Sequence, residues 1–207
     1  MTMSTAEAAE VIAAHRPGGA VAIATMSSLR LFPRLSPSPL NLSCVPLMGG
    51  ASALGLGIAL AQPARPVLVL DGDGSLLMQL GSLATVAGAA PANLYHFVFD
   101  NGVWFEGGAD VPLPAAGKLD WTALALAAGY PQAHSFETPA GLAAGLGGLL
   151  AAAGPCLIRL AIDPAGADRV HWDGANTQGE TPDSQFTRMG EEARLVRREL
   201  VSSRPGP

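Results

Sequence analysis

Two apolar runs organise this chain, residues 66–70 (PVLVL) and 94–99 (LYHFVF), and each stops abruptly at polar, glycine-containing text. Runs this short and this apolar fit strands buried on both faces, as in a parallel sheet. Asp71-Gly72-Asp73-Gly74-Ser75 follows the first and Asp100-Asn101-Gly102 the second. Residues 76–89 between them read as a helix, so the stretch is strand, glycine-rich turn, helix, strand. The remaining pattern predicts helices over 5–15, 49–60, 120–128, 138–153 and 186–200, and strands over 20–25 and 156–162. Ser4 or Thr5 is the expected N-cap of the first helix, and Asp120 and Gly129 bracket the 120–128 helix. Residues 33–46 hold prolines at 33, 37, 39 and 46 and are expected to be a loop, as is the aperiodic stretch 102–118. Strands and helices that alternate with short links predict an α/β domain, a three-layer parallel sheet with helices on both faces. Its expected extent is 1–165, with 166–207 an irregular extension closed by an amphipathic helix.

Composition narrows the function. Hydrophobic residues make up 49% of 207 and charged ones 14%, so more apolar surface is on offer than one small domain ordinarily buries, and an oligomer interface is expected. A formal net charge of −5 and the absence of a basic run argue against a nucleic-acid partner. The first residues carry Glu7 and Glu10 rather than a long apolar segment, and no run reaches membrane-spanning length, so a cytoplasmic protein is expected. Cys44 and Cys156 form no CxxC pair and are expected to be small buried hydrophobes; zinc and iron–sulfur sites are not expected. That absence also counts against the β chains of ferredoxin-linked oxo-acid oxidoreductases.

The candidate chemistry lies at the carboxyl ends of the two strong strands, where open parallel sheets bind ligands. Asp73 and, 28 residues later, Asn101 offer a carboxylate and an amide oxygen, hard ligands that Mg²⁺ takes alongside phosphates. The glycines let backbone amides approach an anion. Either motif alone is more often a turn; together, each at a strand end, they point to a magnesium-bound diphosphate.

This spacing resembles the signature of thiamine-diphosphate-dependent enzymes, GDG followed by nearly thirty residues and an Asn. The text DGDGSLLM, LGSLAT and DNGV is similar to the diphosphate-binding half of sulfopyruvate and phosphonopyruvate decarboxylases, and the likeness covers Val45 to Asp163. The resemblance implies the thiamine-diphosphate-binding fold, with thiamine diphosphate and Mg²⁺ as cofactors. It implies Asp73, the Asn101 amide oxygen and the Val103 carbonyl as metal ligands, and Gly74 and Ser75 as diphosphate contacts. Met48 would wedge under the cofactor and enforce its bent shape. The Pro46 carbonyl would take the bond from the cofactor's 4′-amino group, although Pro46-Leu47 stands where the family has Gly-Ser. Ser27 is carried over from the early loop that contacts the diphosphate, where Thr25-Met26 replaces a Thr-Gly pair. Asp71 and Asp100 are expected to support turns without touching metal, and His96, inside an apolar strand, is read as a core residue.

Such enzymes need a glutamate that activates the pyrimidine, and the resemblance places it on a partner, a pyrimidine-binding-type subunit completing a hetero-oligomer. The expected reaction is non-oxidative decarboxylation of a small 2-oxo acid; carboligation of the acetolactate-synthase type and a non-catalytic cofactor-binding module are the alternatives. Relatives read approximately DNGVYGSTGGQ where this chain has Asp100-Asn101-Gly102-Val103-Trp104-Phe105-Glu106-Gly107-Gly108-Ala109. Glu106 would repel an anionic tail, so sulfopyruvate and phosphonopyruvate are not the expected substrates. Glu106 is also open to a role as proton donor or interface residue, with solvation the default.

Overall fold

The computed structural model of the chain describes residues 3–25, 28–44, 47–106, 109–164 and 182–202. Helix α1 (Thr5–Ala14) starts from a reciprocal cap: the Glu7 amide donates to Ser4 Oγ, and the Ser4 amide donates to Glu7 Oε2. Then come β1 (Val21–Ala24), α2 (Ser28–Leu35), β2 (Asn41–Ser43), α3 (Ala51–Ala61), β3 (Val67–Gly72), α4 (Asp73–Met78), α5 (Ser82–Ala89) and β4 (Leu94–Asp100). The second half adds β5 (Val103–Glu106), β6 (Ala109–Pro112), α6 (Trp121–Ala128), β7 (Gln132–Phe136), α7 (Pro139–Ala151), β8 (Cys156–Ala161) and α8 (Pro182–Ser202).

Six strands form one parallel sheet in the order β2-β1-β3-β4-β8-β7. Successive side chains point to opposite faces. Val67 and Val69 of β3 therefore pack with Leu56, Val86 and Trp121, from α3, α5 and α6. Leu68 and Leu70 pack with Ile12, Phe32, Leu142 and Leu146, from α1, α2 and α7. The expected three-layer arrangement with helices on both faces is the one observed. Gly55 shows why α3 is rich in small residues: a Cβ there would press into Val69 Cγ2 of the sheet.

Four expectations are corrected. The 33–46 loop is in part regular, because α2 continues through Pro33 to Leu35, anchored by wholly buried Phe32, and β2 then pairs with β1. The 76–89 helix is two helices, α4 beginning at Asp73 and α5 resuming at Ser82. The 102–118 loop contains an antiparallel hairpin that pairs Val103 with Pro112 and Trp104 with Val111. Val103-Trp104-Phe105 is strand chemistry; the prolines at 112 and 114 obscured it. The edge strand β7 had no expectation, since its half-buried QAHSF lacks an apolar alternation. The final helix starts earlier than expected, and Val196 buries in the core beneath β2.

Candidate functional site

The chain steps from β1 outward to β2 and then back across β1 to β3, so the sheet reverses its direction of growth between β1 and β3. A crevice at the carboxyl ends of the strands is the ligand position that such a reversal creates. The ends of β1, β2, β3 and β4 meet there. Thr25 locks three of them: its amide donates to the Leu70 carbonyl, and its Oγ1 donates to the Cys44 carbonyl at 3.1 Å.

Asp73 sits at the start of α4, 2% exposed. Its Oδ1 accepts the Gly74 amide at 2.8 Å and its Oδ2 accepts the Gly102 amide at 2.6 Å. The second bond draws the Asn101-Gly102 turn onto Asp73, so residues distant in sequence share one site. Asn101 Oδ1 accepts the Val103 amide at 3.0 Å and keeps a second lone pair. Burial pushes the Asp73 carboxyl up to about 7, with the Asp100 carboxylate adding to the rise, while the two amide bonds pull it down. A carboxylate so buried beside another one calls for a cation. The Asp73 carboxylate and the Asn101 amide oxygen are hard oxygen donors of the kind that suits Mg²⁺. No group of three or more His, Cys, Asp or Glu residues able to hold a metal occurs among the described residues.

Gly74 is packed under the hairpin: a Cβ there would run into the Trp104 ring and lie 3.2 Å from Leu113, so only glycine fits at this position. Ser75 Oγ accepts the Gly49 amide at 2.9 Å and keeps its hydroxyl hydrogen for another partner. The same bond seats the Met48-Gly49 turn on α4, with Met48 half-buried at the crevice. Gly49 has a left-handed φ of +83°, and a Cβ would stand 2.7 Å from Gln79 Cβ, at the break between α4 and α5. The interrupted helix thus makes room for the Met48 turn. Ser27 and Pro46, both expected to contact the cofactor, lie outside the described residues, as do Gly107 and Gly108.

Supporting contacts escaped the sequence. Asp71, 1% exposed, accepts the Gly72 amide at 2.9 Å and lies 3.3 Å from Nε2 of wholly buried His96, whose Nδ1 has no partner among the described residues. His96 is therefore only half satisfied as a core residue. Asp100 Oδ2 accepts Arg159 Nε at 2.7 Å, and Arg159 also reaches Glu137 at 2.9 Å and Ser135 at 3.1 Å. Glu192 of α8 accepts the Ser43 amide at 2.6 Å, tying the C-terminal helix to the strand that leads into the Met48 turn. Register could have suggested the first pair: parallel β3 and β4 align Val69 with His96 and Asp71 with Val98, which puts Asp71 and His96 on one face. Cys44 is a free thiol, and burial followed by the nearby Asp71 charge pushes it up to about 11, so it remains protonated and non-nucleophilic at neutral pH. The arrangement is equipped to bind a metal-bound anion.

The model of the family described as "Thiamine pyrophosphate enzyme, C-terminal TPP binding domain" matches residues 21–160. Phosphonopyruvate decarboxylase of Streptomyces hygroscopicus is 45% identical over 148 residues, 72% of this chain and 36% of that protein. Sulfopyruvate decarboxylase subunit beta of Methanothermobacter thermautotrophicus is 52% identical over 64 residues, 31% of this chain and 34% of that one. The chain thus spans about a third of the length of these relatives. Among solved structures, the thiamine diphosphate-dependent 4-hydroxybenzoylformate decarboxylase of Rhodococcus jostii RHA1 superposes with a TM-score of 0.63. It is 20% identical, and the match covers 78% of this chain and 33% of that one, a likeness of fold.

Proposed function

We propose, because this chain belongs to the family of thiamine pyrophosphate enzymes as their C-terminal TPP-binding domain, that it is the diphosphate-binding subunit of a heteromeric 2-oxo acid decarboxylase. The observation that carries the reading is the convergence of Asp73, the Asn101–Val103 turn, Gly74, Ser75 and the Met48 turn on one crevice. Asp73, Asn101 Oδ1 and the Val103 carbonyl would hold Mg²⁺. Gly74 and Ser75 would hold the diphosphate, Met48 would support the rings, and Ser27 and Pro46 would add the remaining contacts. Thiamine diphosphate, when bound, supplies the electron sink for cleaving the bond between a keto carbon and its carboxylate. The chain's own residues fix the metal and the anion, keep water from the Asp73 side and orient the cofactor.

A partner subunit would supply the activating glutamate. Leu47 is 55%, Met78 61% and Val111 42% exposed on the three segments that flank the crevice, and this apolar rim supports a protein interface there. No helix among the described residues is long and apolar enough to cross a membrane; the two free cysteines accord with a reducing, cytoplasmic setting. Relatives are named for acids with anionic tails, whereas a carboxylate at Glu106, whose side chain lies outside the described residues, would favour an acid with a neutral tail.

The test is CO₂ release with and without a pyrimidine-type partner, using phosphonopyruvate, sulfopyruvate and neutral-tailed 2-oxo acids, with Glu106→Ser beside the wild type. The expected result is no turnover by the chain alone, turnover with the partner, preference for the neutral tail, and a relative gain for anionic tails in the variant. Turnover by the isolated chain would overturn the divided site. Acetoin-type products would assign carboligation instead, and cofactor binding without turnover in any complex would leave a binding module.

A further inference from the structure

The indole of Trp104 is not used by the reading above. It stands on β5 opposite Val111, and its ring covers Gly74: a Cβ on Gly74 would collide with Nε1 and Cδ1 of the indole. The ring nitrogen is buried and has no acceptor among the described residues. An indole N–H can only donate, and a buried donor without an acceptor forfeits its hydration for nothing. Evolved interiors rarely tolerate that, so the orphan asks for an acceptor from outside the chain.

The surroundings say what kind. Ser75, next in sequence to Gly74, accepts the Gly49 amide and has a hydroxyl hydrogen still to give, so the segment beneath the indole offers a second donor. An occupant here must bring several acceptor oxygens. Asp73 lies close by, with its Oδ1 on the Gly74 amide, and a bare anion would meet its carboxylate; an anion that arrives with a divalent cation would not. Acceptor-rich, anionic and metal-bound describes a diphosphate.

We propose that Trp104 Nε1–H donates a hydrogen bond to the bound diphosphate, making Trp104 a cofactor-binding residue and the β5–β6 hairpin the cover of the anion site. The inference rests on the thiamine-diphosphate reading and adds a ligand to it from an element the local pattern did not reveal. Charge-assisted bonds of this kind carry about a tenfold or greater share of affinity.

The experiment uses the full chain labelled with ¹⁵N at its three tryptophans, so that only three indole signals need following. Trp104→Phe, which keeps a ring over Gly74 and removes the donor, assigns the Trp104 signal. Magnesium pyrophosphate and magnesium thiamine diphosphate should each move that signal downfield, whereas thiamine without phosphates should not. By calorimetry the Phe variant should bind both diphosphates about tenfold or more weakly and by the same factor. Trp104→His, which retains a ring N–H, should recover part of the loss. If Trp104→Phe folds poorly, Trp121→Phe and Trp172→Phe assign the Trp104 signal by elimination, and the wild-type titration then decides the matter. Wild-type binding of both ligands with an unmoved Trp104 signal would overturn this inference and leave the thiamine-diphosphate reading intact. Failure of the wild type to bind either would overturn both.

Discussion

Replacing Asp73 by Asn should stabilise the metal-free protein at high pH and destabilise it at low pH, a change of sign that follows from the geometry. Burial, with Asp100 adding to it, raises the wild-type carboxyl from 3.8 to about 7 in the folded chain. A carboxyl raised on folding lends its stability below the unfolded value near 4 and loses it as pH climbs through about 7. Three pH units at about 1.36 kcal/mol each put the cost of the ionised group above pH 7 near 4 kcal/mol. Asn removes that cost, but it offers one acceptor oxygen to two backbone donors, Gly74 and Gly102. One amide then faces an NH₂ group, a loss of about 1–3 kcal/mol. In EDTA at pH 8 the variant should be the more stable by about 1–3 kcal/mol; near pH 4 it should be the less stable by a similar amount. At about 2–4 °C per kcal/mol for a chain of this size, thermal unfolding resolves both differences. Adding Mg²⁺ and thiamine diphosphate at a hundred times Kd should lift the wild type by about 2.7 kcal/mol and leave the variant unmoved. A variant destabilised equally at both pH values would refute the burdened carboxylate, and a variant that responds to the cofactor as the wild type does would refute Asp73 as a ligand.

Two further substitutions separate support from ligation. Asp71→Ala should keep most of the Mg²⁺-dependent cofactor affinity while lowering stability by about 2–4 kcal/mol, because it strips the Gly72 amide and buried His96 of their acceptor; calorimetry and urea unfolding check the two halves, and a loss of affinity equal to that of Asp73→Ala would show the ligand misassigned. Glu192→Ala should free α8 from the edge strand β2 at a cost of about 1–2 kcal/mol, since the Ser43 amide loses its charged acceptor. Limited proteolysis should then cut within α8 sooner than in the wild type, and unchanged digestion would show that packing of Val196 alone holds the helix.

The local sequence determined the elements whose signals are local. Strands β3 and β4 were legible because they are buried on both faces and end at Asp-Gly and Asp-Asn. Helix α6 was legible because Asp120 accepts the amides of Thr122 and Ala123, and Gly129 takes the left-handed φ of +105° that ends it. The spacing of Asp73 and Asn101 was readable for the same reason, each standing at the end of a strong strand. What only the tertiary structure decided is which groups meet. The Glu192 bond to Ser43 spans 149 residues and the Arg159 bond to Asp100 spans 59, separations over which no periodicity carries information. The rise of the Asp73 carboxyl depends on the burial that packing provides, and the cover of Trp104 over Gly74 depends on a hairpin whose prolines at 112 and 114 read as loop. Secondary structure is encoded within a few residues of itself, whereas a site is a set of long-range contacts that exists only once the sheet has set its strand order and register.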